Sequence, residues 1–236
     1  MKTQNNSNPK DTLLYLQSLK EEGVEEVYLE LKRISPASKG ETPSGSGSAK
    51  EELLKLKEMV SNCTLCAELA AARRSVVFGA GNGKAKLMFV GEAPGREEDE
   101  QGLPFVGAAG QLLTKIIESI GLTRRQVFIA NTLKCRPPGN RPPQPEEILN
   151  CRPFLERQIE LIRPEIICAL GTFAAQTLLK TGSPVSRLRG RFHSYKNGIR
   201  ILCTFHPAYL LRNPEEKRKV WEDMKMIKKE LETPSL

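Results

Sequence analysis

The stretch KLMFVGEAPG, residues 86–95, decides the fold. Its first six residues are almost continuously apolar, too few for a buried helix and closed by Gly91, so they read as a strand covered on both faces. The Gly-Glu-Ala-Pro-Gly that follows is a tight turn at the strand's carboxyl end. Leu and Ile at helical spacing over residues 108–120 then predict the helix that returns the chain. The unit recurs outward from there. VFIANTL (127–133), EIICALG (165–171) and IRILCTF (199–205) are further short apolar runs, and helical patterns occupy residues 145–163, 172–180 and 214–232, the first with a break expected at Pro153. A charged amphipathic helix over residues 50–74 precedes the first strand. Asn197-Gly198 suits a type I′ turn, which makes residues 191–196 a strand paired with the last one. Four apolar strands alternating with helices predict an α/β protein, a three-layer α/β/α sandwich with a mostly parallel four-stranded central sheet.

Upstream the character changes. Leu13, Leu14, Leu16, Leu19, Val24, Val27, Leu29 and Leu31 lie at helical spacing, predicting a helical extension over residues 1–34. In residues 35–49, ten of fifteen are Ser, Pro or Gly, the composition of a flexible linker, so the main domain is expected to run from 50 to 236. The first 48 residues carry six basic and seven acidic side chains, which leaves the main domain at +9 and suited to a polyanionic partner. No apolar run approaches the ~20 residues of a membrane span, and no secretory leader is visible, so a soluble, cytoplasmic monomer is expected. In such a compartment six cysteines read as thiols or metal ligands rather than disulfides.

Ligands of open parallel sheets bind beyond the carboxyl ends of the strands. Gly91-Glu92-Ala93-Pro94-Gly95, Asn131 with the segment from Lys134 to Arg141, and His206-Pro207 fall there together. GEAPG lacks the Gly-Lys-Ser/Thr tail of a phosphate-binding loop, which disfavours a nucleotide-binding transferase. Cys63 and Cys66 form a two-residue-spaced pair, and Cys135 and Cys151 each stand in Cys-Arg-Pro, where Arg136 and Arg152 favour thiolate. Four such ligands suit zinc or an iron-sulfur cluster, and the single CxxC pair leans toward the cluster without deciding it. Cys168 and Cys203, inside apolar strands, read as buried thiols, and His193 in the hairpin as a structural or surface residue.

GEAPGREEDEQGLPFVGAAGQLL (91–113), NTLKCRPPGNRPP (131–143), HPAYLLR (206–212) and the four cysteines resemble the family 4 uracil-DNA glycosylases, over roughly residues 51–232. The resemblance implies the sandwich fold, a 4Fe-4S cluster on Cys63, Cys66, Cys135 and Cys151, and excision of uracil from single- and double-stranded DNA as the start of base-excision repair. It implies Asn131 as reader of the uracil edge, Phe105 as the stacking aromatic, Glu92, Ala93 and Pro94 as pocket wall, and His206 as donor to the departing base. Ala93 stands where the superfamily pattern places an aspartate, so Glu98 or Asn140 is left to position the attacking water.

DNA contacts are expected from Lys134, Arg136, Arg141, Arg187, Arg189 and Arg191, with Leu210 as the wedge that fills the gap left by an extruded base and Tyr209 or Leu211 able to share that role. A repair or replication protein is a candidate partner for residues 1–49. The competing readings are a catalytically weak relative, or a zinc-stabilised nucleic-acid-binding domain.

Overall fold

In the computed structural model the described residues are 48–233; the expected helical extension, and all of the Ser/Pro/Gly-rich stretch before Ser48, lie outside them. Six strands form one sheet: β1 (Ala80–Gly81), β2 (Leu87–Gly91), β3 (Phe128–Asn131), β4 (Ile166–Leu170), β5 (Phe192–Ser194) and β6 (Arg200–Thr204). Their order is β1-β3-β2-β4-β6-β5, with β3, β2, β4 and β6 parallel and the two edge strands antiparallel.

Alternation along the central strands sorts the helices into two layers. Met88, Val90, Ile167, Ala169, Ile201 and Cys203 point to one face, where they meet α1 (Ala49–Ser61), α5 (Pro145–Ile162), α6 (Thr172–Leu179) and α7 (Val185–Leu188). Leu87, Phe89, Ile129, Cys168 and Leu202 point to the other, against α4 (Ala108–Ser119), α8 (Pro207–Arg212) and α9 (Lys217–Glu232). The expected three-layer sandwich is therefore present. Cys168 and Cys203 are fully buried within it, as expected.

The sheet is larger than the four strands predicted. The hairpin strand β5 forms as the turn demands: Asn197 and Gly198 have φ of 57° and 78°, both left-handed, and the Tyr195 N–H donates to the Ile199 carbonyl at 2.8 Å. β1 is two residues long, too short to leave a periodic signature. Pro153 does not break α5. Its missing bond falls on the solvent side, where Pro153 and Leu149, four residues before it, are both exposed. The single helix expected over residues 50–74 is two, α1 and α2 (Ala67–Ala72), with the CxxC pair in the interruption. The acidic run Glu97-Glu98-Asp99-Glu100 lies on a further helix, α3 (Arg96–Gln101), ended by Gly102 at φ 68°. Its Asp99 is buried and accepts from the N–H groups of Arg74 and Ser75. Among the described residues no helix is long and apolar enough to cross a membrane.

Candidate active site

β2 and β3 end in register, Gly91 opposite Asn131, and their pairing continues one step further. The Thr132 N–H donates to the Gly91 carbonyl and the Leu133 N–H to that of Glu92, each at 2.9 Å. This fixes the Asn131 side chain beside Gly91, where only glycine fits: a Cβ there would lie 2.5 Å from both Asn131 Oδ1 and the Phe105 ring. Asn131 is 1% exposed, and its Oδ1 is buried without a hydrogen-bond partner. Leaving such an acceptor unmade costs about 1–3 kcal/mol, which sets Asn131 apart as a buried acceptor with unused capacity.

Phe105 completes this wall from a left-handed conformation, φ 54°. Two groups hold its loop. The Glu98 carboxylate accepts from the N–H groups of Gly95 (3.1 Å), Val106 (2.8 Å) and Gly107 (3.0 Å), and the Arg124 guanidinium donates to the Pro104 carbonyl at 2.7 Å. The Phe105 and His206 rings face each other obliquely, with centroids 5.5 Å apart.

His206 caps the start of α8: its Nδ1 accepts from the Ala208 N–H at 3.2 Å. An accepting nitrogen carries no proton, so the neutral ring holds its proton on Nε2. Burial, reinforced by the positive charge of Arg212 and opposed by Glu98, lowers the imidazole to about 4. The ring is therefore neutral at neutral pH, with Nε2–H as its free donor. Glu92, at the turn after β2, has its carboxyl pushed up to about 6 by burial. Asn140 is exposed in the turn Pro138–Asn140, and its Oδ1 accepts from Arg136 Nε at 2.7 Å.

The four cysteines expected as ligands gather beside this wall. Cys135 and Cys151 pack with Leu69, Leu133 and Ile148, and Cys66 and Ala93 lie against them. Burial is the chief cause raising the thiols of Cys66, Cys135 and Cys151, the last to about 12. The sulfurs also sense one another: Cys63 and Cys135 raise Cys66, Cys63 raises Cys135, and Cys135 and Cys66 raise Cys151. Thiols so placed resist ionising together unless a metal replaces their protons. Donors already face them. Arg73 Nη1 lies 3.1 Å from Cys135 Sγ, the Lys134 N–H 3.3 Å from Cys151 Sγ, and Asn150 Nδ2 3.6 Å from Cys66 Sγ. The arginines expected to assist do not: Arg136 holds Asn140, and Arg152 lies 3.8 Å from Glu156. Among the described residues no three or more His, Cys, Asp or Glu side chains converge closely enough for a single metal ion.

Three expected DNA contacts are corrected by burial or pairing. Lys134 is 1% exposed, its ammonium bound to the Asn131 carbonyl and Gln158 Oε1, so it cannot reach a phosphate. Arg189 is bound to the fully buried Asp223, which also accepts from Thr204 Oγ1 at 2.6 Å and so braces the approach to His206. Leu210 is 1% exposed and packs in the core; on α8 it is Leu211 and Tyr209 that are exposed. The spacing of Pro207 and Leu210, three residues apart on a helix, carried that signal. Arg141 is tied to Glu147 and Glu68, whereas Arg187 and Arg191 are exposed. His193, bonded to the Leu188 carbonyl, is structural as expected. Arg73 and Arg212 were not anticipated, although a cation on the same short helix as His206 was visible.

These features agree with comparisons to known proteins. A model described as the uracil DNA glycosylase superfamily matches residues 78–225. A type-4 uracil-DNA glycosylase of Sulfurisphaera tokodaii is 45% identical over 78% of this chain and 87% of its own. Relatives of the same description from Thermotoga maritima (46%, covering 76% and 95%) and Archaeoglobus fulgidus (42%, covering 75% and 92%) are similar over the same extent. The chain belongs to the uracil DNA glycosylase superfamily, in its type-4 branch.

Proposed function

We propose that this protein hydrolyses the bond between uracil and deoxyribose in single- and double-stranded DNA, leaving an abasic site for base-excision repair. The observation that carries the reading is the buried, partnerless Oδ1 of Asn131 on a wall shared with Phe105 and near a neutral His206. Uracil presents a donor, N3–H, flanked by two carbonyl acceptors. A flipped uracil stacks on Phe105 and places N3–H on Asn131 Oδ1 and O4 on its amide nitrogen. As the glycosidic bond opens, negative charge gathers on the base, and Nε2–H of His206 meets it at O2. A neutral donor suits this task because it keeps its proton while stabilising the anion.

Of the two candidates for the water, Glu98 has its oxygens engaged by three backbone N–H groups, so it holds the Phe105 loop and contributes a fixed negative charge to the site. Asn140, steadied by Arg136, is left to orient the water. Glu92, Ala93 and Pro94 form the remaining pocket wall. Arg136, Arg141, Arg187 and Arg191 supply phosphate contacts, and Leu211 with Tyr209 replaces Leu210 as the wedge.

Cys63, Cys66, Cys135 and Cys151 fit a 4Fe-4S cluster: four cysteines in mutual electrostatic reach, with donors already on three sulfurs. Hydrolysis transfers no electrons, so the cluster's contribution is to tie α2 to the loop after β3. The protein acts as a cytoplasmic monomer, with residues 1–49 as a tether to a repair or replication partner.

Treating a uracil-containing oligonucleotide with the protein and then alkali tests the reading. Cleavage at uracil and not at thymine is expected; an intact strand overturns it.

A further inference from the structure

The Lys134 backbone donates to the cysteine site, while its side chain runs to the end of β3 and is bound to neither the sulfurs nor the uracil wall's side chains. Each of its polar groups is engaged. Its carbonyl accepts from the Val77 N–H at 2.8 Å, its N–H donates to Cys151 Sγ, and its ammonium donates to the Asn131 carbonyl at 2.7 Å and to Gln158 Oε1 at 2.6 Å. Gln158 is itself fully buried and anchored to the Phe78 carbonyl at 2.8 Å.

What this lysine lacks is an anionic partner of the usual kind. A buried ammonium is costly unless an opposite charge compensates it. Among the described residues no carboxylate forms an ion pair with Lys134. Both of its resolved ammonium partners are neutral oxygens. Two groups beside it can carry negative charge: Cys151, whose Sγ accepts from the Lys134 N–H at 3.3 Å, and Cys135, the next residue in the chain. Compensation therefore exists only when those sulfurs are thiolates, which is the state that bound iron enforces.

We propose that Lys134 is a positioning residue that couples the two sites: its buried ammonium is the counter-charge of the cysteine-bound cluster and, through the Asn131 carbonyl, holds the uracil reader in place. The inference rests on the cluster reading above. Loss of the sulfurs' charge leaves the ammonium uncompensated and loosens its hold on the end of β3, so damage to the cluster reaches uracil recognition without any electron transfer.

The test compares the full chain, purified without oxygen, as wild type, Lys134→Met and Gln158→Leu. Iron content, visible absorbance, the reduction midpoint of the cluster and kcat and KM on a uracil oligonucleotide are read on each. Removing a nearby positive charge disfavours the electron-richer reduced cluster, so Lys134→Met is expected to move the midpoint to more negative potential and to lower kcat at least tenfold. Gln158→Leu keeps the charge but loses one of its supports, and is expected to leave the midpoint near wild type while lowering kcat several-fold. Iron-bearing wild type with an unchanged midpoint in Lys134→Met overturns the inference alone. Should Lys134→Met fail to fold, an unchanged kcat in Gln158→Leu overturns it. Iron-free wild type removes the cluster reading and this inference together, while strand cleavage by that same protein would leave the glycosylase reading standing.

Discussion

The two ends of the sheet contrast in what they leave unsatisfied. At the amino ends of β4 and β6 lies a broad cleft of about 850 Å³ between α5, the hairpin turn and the end of α9. Most of its charges are matched: Lys196 with Glu156, Arg157 with Glu160, Arg200 with Glu230. At the carboxyl ends lie a buried acceptor without a donor, a histidine kept neutral and a carboxyl raised to about 6. Unspent chemistry, more than volume, marks the site.

The largest effect is expected where that chemistry is most exposed to loss. Asn131→Ala removes both contacts to the uracil edge, and a fall in kcat/KM on the order of a hundredfold or more should follow, with thermal stability close to wild type because the deleted oxygen had no partner. Stability collapse together with the loss of activity would mean that Asn131 is a structural amide, and the contrast between the two ends would disappear.

His206 comes next. His206→Ala should lower kcat by about a hundredfold, the typical size of one lost donor to a developing anion. The pH response sharpens the point. Because the folded imidazole titrates near 4, below the free ring at ~6.5, excision should not lose its neutral donor until the pH nears 4. Between those values the unfolded chain binds the proton and the folded one does not, so this residue withdraws stability as the pH falls through that window. Glu92, raised to about 6, acts oppositely: its contribution is present below ~4.3 and lost as the pH rises through 6. Thermal melts of His206→Ala and Glu92→Gln against wild type from pH 4 to 7 would separate the two trends.

Much of this was legible in the sequence, for reasons that also explain the failures. The parallel strands showed because burial on both faces demands continuous apolar runs, and the hairpin because Asn-Gly suits two left-handed residues. The convergence of Asn131, Phe105 and His206 followed from the strand ends and the family motifs. Lys134 and Arg189 misled because composition assigns lysine and arginine to the surface, whereas partners distant in the chain, Gln158 for the first and Asp223 for the second, drew them inward. The neutrality of His206 depends on its depth and on the cap at Ala208, neither of which a motif records.

Cys135→Ala tests the neighbouring site. The variant should lose its visible absorbance, fall several degrees in Tm and excise more weakly, since the loop that follows Asn131 would lose its tie to α2; a colourless variant with full activity and stability would detach the two sites from one another. A smaller, selective effect is expected at α8. Leu211→Ala should reduce excision several-fold from duplex and little from single strands, which have no gap to fill, while Leu210→Ala should cost about 2–4 kcal/mol of stability as a core cavity. The reverse pattern would restore Leu210 as the wedge.

The smallest effect belongs to the cleft at the amino ends. Lys196 and Glu156 lie 3.3 Å apart with side chains 51% and 28% exposed, a pair that solvent screens and that contributes at most about 1 kcal/mol. Lys196→Ala should leave kcat and KM unchanged and shift stability by less than that. Titration with salt provides the counterpart, because Arg187→Ala and Arg191→Ala, exposed on the main domain, should each flatten the salt dependence of DNA binding while Lys196→Ala does not. If instead the substitution in the roomy cleft weakened DNA binding, phosphate contact would extend to the amino ends of the strands, and the matched charges there would have to be read as a surface that opens to the duplex.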